Sequence, residues 1–265
     1  MNDVLLTVSG IVPPDIEDQI ARGERPETDY MAMARTFGAD LIDYEAARRQ
    51  TGGLGKLLQK IGGPNLVLAW ACYRQRKQYR VIFTDGEQVG IPLALFLKFF
   101  NWGKRARHLM IGHILSVGKK MIFLDWLKLQ SHIDVFLVYS TWQKQFIEQR
   151  WQVPANRVVF TPFMVDANFF APRQAGKPDD FLAELDERPI ISSVGLEFRD
   201  YPTLVDAVRG LDVQVVVAAG SPWSKRPDTT ADQEIPDNVL VRRFTQFELR
   251  DLYAMSAFVV MPLFN

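Results

Sequence analysis

Three side chains stand directly behind apolar, strand-like runs and could meet a ligand there. Asp85 and Glu87 follow residues 80–84, and His113 follows residues 108–112. Open α/β sheets bind ligands outside the C-terminal ends of their strands, so the placement counts for more than the residue types alone. A carboxylate at such an edge can accept a proton from a substrate hydroxyl, and an imidazole can take or give one. Asp85 and Glu87 have a second use open to them, as N-caps of the following helix, and a lone histidine can equally be structural. Further along, Gly195 and Arg199 lie between the run 190–194 and a helix starting near Tyr201. A fixed cation beside a helix N-terminus suits an anion, phosphate above all, and Gly195 would let backbone approach it. Gly220-Ser221 and Ser9-Gly10 are glycine turns that also end apolar runs.

Other chemistry is poorly supported. Residues 51–57, TGGLGKL, look a little like a phosphate-binding loop, but they lack four residues between the glycines. Leu57 also stands where Ser or Thr must hold magnesium. No GxGxxG occurs. His108, His113 and His132 are not at metal-ligand spacing, and no metal or cofactor is expected.

The elements that must position these residues alternate. Strands are predicted at 4–8, 40–44, 80–84, 108–112, 135–139 and 157–160. Helices are predicted at 92–100, with Pro92 in its first turn, and at 142–151, capped by Ser140 or Thr141. Residues 13–30, with three prolines, read as loop or helix start. Glycines 52, 53, 55, 62 and 63 flank a small amphipathic piece around Leu57-Leu58. A polar stretch at 171–188, broken by Pro172, Gly176 and Pro178, reads as a linker. The pattern then restarts, with strands at 190–194, 213–218, 238–241 and 257–261. Helices lie between them at 201–209 and 247–255, the second opened by the Thr245/Glu248 capping-box pair. Such alternation implies parallel βαβ units. The expected organisation is two Rossmann-like doubly wound domains, 1–170 and 189–265, joined by the linker.

With 265 residues, 48% of them hydrophobic, the chain can build two cores. A single cysteine, Cys72, excludes an internal disulfide framework and suits a reducing cytosol. Residues 1–3 are acidic and the apolar run 4–8 is too short for a signal peptide, so a cytoplasmic chain is expected. The net charge of zero hides an asymmetry. Residues 1–177 carry 23 Lys+Arg against 16 Asp+Glu, and residues 178–265 carry 8 against 15. Within 74–128, 11 basic residues face 3 acidic ones. Solvated helix faces account for that pattern, as does a basic surface for anionic partners. Residues 93–107 join the apolar stretch 93–100 to the basic stretch 101–108. That reads either as a buried helix with solvated charges or as a helix lying at an anionic membrane face.

Specific strings add a resemblance. Val138-Tyr139-Ser140-Thr141, a helix, and then residues 157–169, RVVFTPFMVDANF, resemble a passage of the group 1 glycosyltransferases of the GT-B fold. Residues 191–195, Arg199 and residues 203–207 resemble the opening of that family's donor domain. Asn238-Val239, Glu248-Leu249, Leu252-Tyr253-Ala254 and residues 259–262 resemble the next segment of that domain. Departures are Leu196 after Gly195 where arginine is usual, Arg199 where lysine is common, and Met164 in place of glycine. The family's paired-glutamate motif would lie past Asn265, so the second domain is expected to be incomplete and this chain to be an inactive fragment. The resemblance implies transfer of a sugar, with retention, from a nucleotide-diphosphate sugar to an acceptor that is not readable here. A lipid or lipid-linked acceptor fits the membrane reading, and nucleic acid is not expected. It implies His113 near the reacting sugar, Gly195, Arg199, Gly220 and Ser221 on the donor, and Gly10, Asp85 and Glu87 on the acceptor. A nucleotide-sugar epimerase of the same fold is the alternative, as is a non-catalytic sugar- or nucleotide-binding remnant.

Overall fold

The computed structural model describes residues 2–100, 106–171, 185–219, 230 and 234–264. The chain forms two compact units, Met1–Ala21 with Glu27–Val165 and Arg22–Pro26 with Asp166–Asn265. Most of the expected linker, and Gly220 and Ser221, lie outside the described residues.

The first unit has strands β1 (Val4–Thr7), β2 (Ala39–Ile42), β3 (Val81–Thr84), β4 (Arg107–Gly112), β5 (Val135–Val138) and β6 (Val158–Phe160). Its helices are α1 (Ile16–Ala21), α2 (Asp29–Phe37), α3 (Tyr44–Gln75), α4 (Glu87–Phe99), α5 (Gly118–Asp125) and α6 (Thr141–Trp151). The sheet runs β2-β1-β3-β4-β5-β6 and every pair is parallel. Strand alternation decides which side chain goes to which face. Leu5 and Ile82 pack with Val67, Leu68, Leu93 and Leu97 of α3 and α4. Their sequence neighbours Leu6 and Phe83 pack with Met33 of α2 on the other face. With both faces covered, the strands read as continuous apolar runs. The order of strand addition reverses between β1 and β3, β2 lying to one side and β3 to β6 to the other, which makes the C-terminal end of that pair the topological switch point.

Two local expectations are corrected. Helix α4 begins at Glu87 rather than at Pro92, so Pro92 is its sixth residue and sits beyond the first turn. The helix can start early because Gly90 fits against the sheet: an added Cβ there would lie 2.4 Å from Met110 Sδ and 2.8 Å from Thr84 Oγ1. The stretch 44–75 is helical on both sides of the short piece around Leu57-Leu58 as well as within it, and Gly52 (φ 58°) and Gly63 (φ 71°) are the joints where the backbone leaves helical geometry. Residues 93–100 do not lie on an interface as a whole. Leu93, Ala94, Phe96 and Leu97 are buried, and only Phe99 and Phe100 of the apolar stretch are exposed. Lys104 and Arg105, the basic part of that reading, lie outside the described residues.

The second unit has strands β7 (Ile190–Val194), β8 (Gln214–Ala218), β9 (Val239–Val241) and β10 (Phe258–Val259), in the parallel order β10-β7-β8-β9. Helices α7 (Tyr201–Val208) and α8 (Gln246–Met255) connect them. Val215 and Val217 meet Leu204 and Val205 of α7, while Val216 meets Leu252 of α8. Thr245 and Glu248 form the capping box that opens α8, as their spacing predicts. No helix among the described residues is long and apolar enough to cross a membrane.

Candidate functional site

The C-terminal edge of the first sheet gathers most of the residues singled out from the sequence. The β1 turn carries Ser9 and Gly10, the β3 turn carries Asp85 and leads into Glu87, and the β4 turn carries His113.

Asp85 is not an N-cap. Gly86 holds the cap position of α4 and no side chain caps it. The Asp85 carboxylate instead crosses to the β1 turn. It accepts from the Thr7 hydroxyl (2.5 Å), the Ser9 backbone N–H (2.5 Å) and the Ser9 hydroxyl (3.0 Å). Burial pushes its carboxyl up from the usual range, and these hydrogen bonds work against the rise. Gln88 Nε2 donates to Ser9 Oγ (3.1 Å) and ties the start of α4 to the same turn. From the other side, Gly10 O accepts from Tyr44 N (3.0 Å), and Asp43, the N-cap of α3, accepts from Val12 N (2.9 Å). The Ser9-Gly10 turn is thus fixed by α3, α4 and β3. A Cβ on Gly10 would meet nothing within 4 Å, so the chain itself does not require glycine there.

Glu87 is not a cap either. It is 3% exposed and accepts from His113 N (2.9 Å), Ile114 N (3.4 Å) and Lys120 Nζ (2.6 Å), with His113 Nδ1 at 3.3 Å. Burial acts to raise its carboxyl. The bonds from His113 and Lys120 outweigh that and hold it at about 2. Glu87 is therefore an anion at neutral pH, and it fixes both the backbone and the ring of His113. The His113 ring is partly open and lies 5.6 Å from the Tyr139 ring, which in turn meets Phe163 edge-on at 4.9 Å. Burial, with Asp29 and Asp85 nearby, pushes the Tyr139 phenol up to about 12. Thr7 and Lys120 were not singled out from the sequence. Lys120 lies 33 residues from Glu87, and nothing local marks the pair. His108, by contrast, is a core residue. Its ring nitrogens lie 3.1 Å from Thr84 Oγ1 and 3.1 Å from His132 O.

Beside Glu87 and Lys120 opens an apolar slot of about 320 Å³. Its walls are Leu66 of α3, Ile91, Pro92 and Leu95 of α4, and Phe123 of α5. It offers a non-polar group a seat next to the His113–Glu87 pair.

In the second unit, Gly195 and Arg199 share the turn after β7. Gly195 has φ 107°, and a Cβ there would come to 3.3 Å from the Arg199 guanidinium. Arg199 ties the turn together through Val194 O (3.3 Å), Glu197 O (2.8 Å) and Met261 Sδ (3.4 Å). Tyr201 donates to Gly195 O. Asp200 caps α7 by accepting from Thr203 N (3.2 Å), so a carboxylate already occupies the helix end that a phosphate would use. The turn is also strained: Phe198 has φ 54° and is exposed.

No protein-family model and no curated protein matches the sequence. Solved structures do match. HepE from Anabaena, crystallised with UDP-glucose, has TM-score 0.62 at 11% identity, covering 98% of this chain and 73% of its own. The catalytic domain of starch synthase IV from Arabidopsis thaliana, bound to ADP and acarbose, has TM-score 0.58 at 10% identity, covering 98% and 78%. Its fold is GT-B. A UDP-N-acetylglucosamine 2-epimerase matches with TM-score 0.51 at 15% identity, covering 98% and 74%. At these identities the likeness is one of fold, and it is a fold of nucleotide-sugar enzymes.

Proposed function

We propose that the chain belongs to a glycosyltransferase that moves a sugar from a nucleotide-diphosphate donor to an acceptor, with retention at the anomeric carbon. The observation that carries this reading is the convergence of Ser9, Gly10, Asp85, Glu87 and His113 at one sheet edge, next to the switch point of a GT-B fold.

Each residue has a part in it. Asp85 is a positioning residue, because all its bonds hold the Ser9-Gly10 turn in place. Glu87 keeps His113 oriented. With one ring nitrogen turned to Glu87, the His113 ring is held at the sheet edge, where it can face charge that develops on the transferring sugar or leaving phosphate. The slot beside the pair suits an acceptor with an apolar portion, and a lipid or lipid-linked alcohol is such a molecule. On the donor side, Arg199 neutralises the pyrophosphate, and Gly195 leaves its backbone open to it. Arg199 would have to exchange some of its turn-fixing bonds for phosphate oxygens.

The test is calorimetric titration of the chain with UDP-glucose, ADP-glucose, the nucleoside diphosphates and the nucleosides. Binding of at least one nucleotide sugar, tighter than its nucleoside, supports the reading; equal or absent binding opposes it. The epimerase match motivates a second reading, which predicts inversion of the donor sugar without any acceptor.

A further inference from the structure

The glycines at 52 and 63 set off a short helix within α3 whose outer face is unusual. Leu54, Leu57 and Ile61 share one stripe at i, i+3 and i+7, and all are exposed, Ile61 at 70%. Lys60 borders the stripe, Lys56 lies farther round, and both are exposed. Residues 52–63 contain no carboxylate. Helix α5 and its C-terminal flank repeat the pattern. Lys119, Ile122, Phe123 and Trp126 fall on one face and are all exposed, Trp126 at 83%. Asp125 on this helix is held by Arg150 (2.7 Å) and Trp151 (2.7 Å), and Glu87 in the neighbouring slot is held by Lys120 (2.6 Å).

The two faces meet at the apolar slot. Phe123 and Leu66 line it together, and the Leu66 side chain lies back over Gly62, where an added Cβ would meet it at 2.7 Å. Leu66, against the end of the glycine-bounded helix, and Phe123 of α5 thus bring the two exposed faces to the same slot. Single exposed apolar residues need no explanation, but a contiguous group flanked by lysines does.

We propose that the first unit docks on an anionic lipid bilayer through this surface. The leucine–isoleucine stripe and the Phe123–Trp126 face enter the headgroup boundary, and Lys56, Lys60, Lys119 and Lys128 meet anionic headgroups. Charge decides between a bilayer and a second copy of the chain. Two such surfaces brought together would set lysines against lysines, with no free carboxylate between them. The positive φ of Gly52 and Gly63 turns the short helix to its own angle, so that its outer stripe faces away from the buried part of α3.

The experiment is flotation of the full chain with vesicles of phosphatidylcholine alone, or of phosphatidylcholine with phosphatidylglycerol, at low and high salt. Binding is expected only to the anionic vesicles, and it should fall as salt rises. The double variant K56Q/K60Q should bind about thirtyfold more weakly, from roughly fivefold per lysine. L57E/I61E should lose about a hundredfold or more. A blue shift in tryptophan emission on anionic vesicles should largely vanish in W126F. All five positions are exposed, and unchanged melting of the variants would confirm that they fold. Absence of binding to anionic vesicles at low salt overturns the proposal. So does binding that both double variants leave intact, and so does self-association in place of vesicle binding that L57E/I61E abolishes.

Discussion

Replacing Glu87 by glutamine removes one charge and keeps the shape. The carboxylate is 3% exposed and accepts from Lys120, the His113 backbone and Ile114. Its folded value lies at about 2 against 4.5 in an unconstrained chain. At about 1.4 kcal/mol per pH unit, that depression amounts to roughly 3 kcal/mol of folding stability at neutral pH. Because the folded value is depressed, the stability is fully present above about pH 4.5 and is lost as pH falls toward 2. At pH 3 only about 1.4 kcal/mol of it should remain. E87Q leaves Lys120 without an anionic partner, facing a neutral amide and the Ile114 carbonyl at 3.0 Å. Urea unfolding of both proteins near pH 7, 5 and 3 measures the difference. The gap between wild type and E87Q should be about 3 kcal/mol at the first two values and less than half of that at the third. A gap below 0.5 kcal/mol at pH 7, or one that does not shrink with acid, would refute the assignment of Glu87 as the buried anion that holds this edge.

Gly90→Ala should destabilise by about 1–3 kcal/mol, since its Cβ meets Met110 and Thr84, whereas Gly10→Ala should leave the melting temperature nearly unchanged and lower only acceptor affinity. Equal melting of the two variants would contradict the close approach of α4 to the sheet. Gly195→Ala should cost about 1–3 kcal/mol in the second unit because φ 107° suits no other residue, and thermal unfolding reads this directly. Arg199→Ala should weaken nucleoside diphosphate binding about ten- to a hundredfold and nucleoside binding little, as titration calorimetry would report; equal loss for both would leave Arg199 a loop-fixing residue only.

The sheets were legible chiefly through their central strands, which are buried on both faces, whereas β6 and β10 keep exposed side chains. Valine-rich β8 and the run at β7 could be read almost to the residue. Helix α3 was legible only in part: its glycines marked the joints of the short piece, while the helical stretches on either side show only through burial of residues such as Val67, Leu68 and Cys72. Pro92 gave a false start for α4 because the close packing that requires Gly90 is a tertiary fact. Among the site residues, position behind a strand pointed correctly to the edge that holds Asp85, Glu87 and His113. Their partners were invisible. Asp85 reaches back 78 residues to Thr7, and Glu87 forward 33 to Lys120, and no local period encodes either contact. The N-cap reading of the two carboxylates failed for the same reason, since long-range donors outcompeted the nearby helix end.

The most direct measurement of the central claim is release of nucleoside diphosphate from a nucleotide sugar by the chain, which the proposed reading takes as active where the resemblance implied an inactive fragment, and by His113→Ala, alongside the donor dissociation constant of each. The expected result is release by the wild type, a fall of about a hundredfold in His113→Ala, and donor affinity unchanged within about twofold. Turnover by His113→Ala at the wild-type rate, or no release from any nucleotide sugar by the wild type, would contradict a transferase site at the β1, β3 and β4 edge.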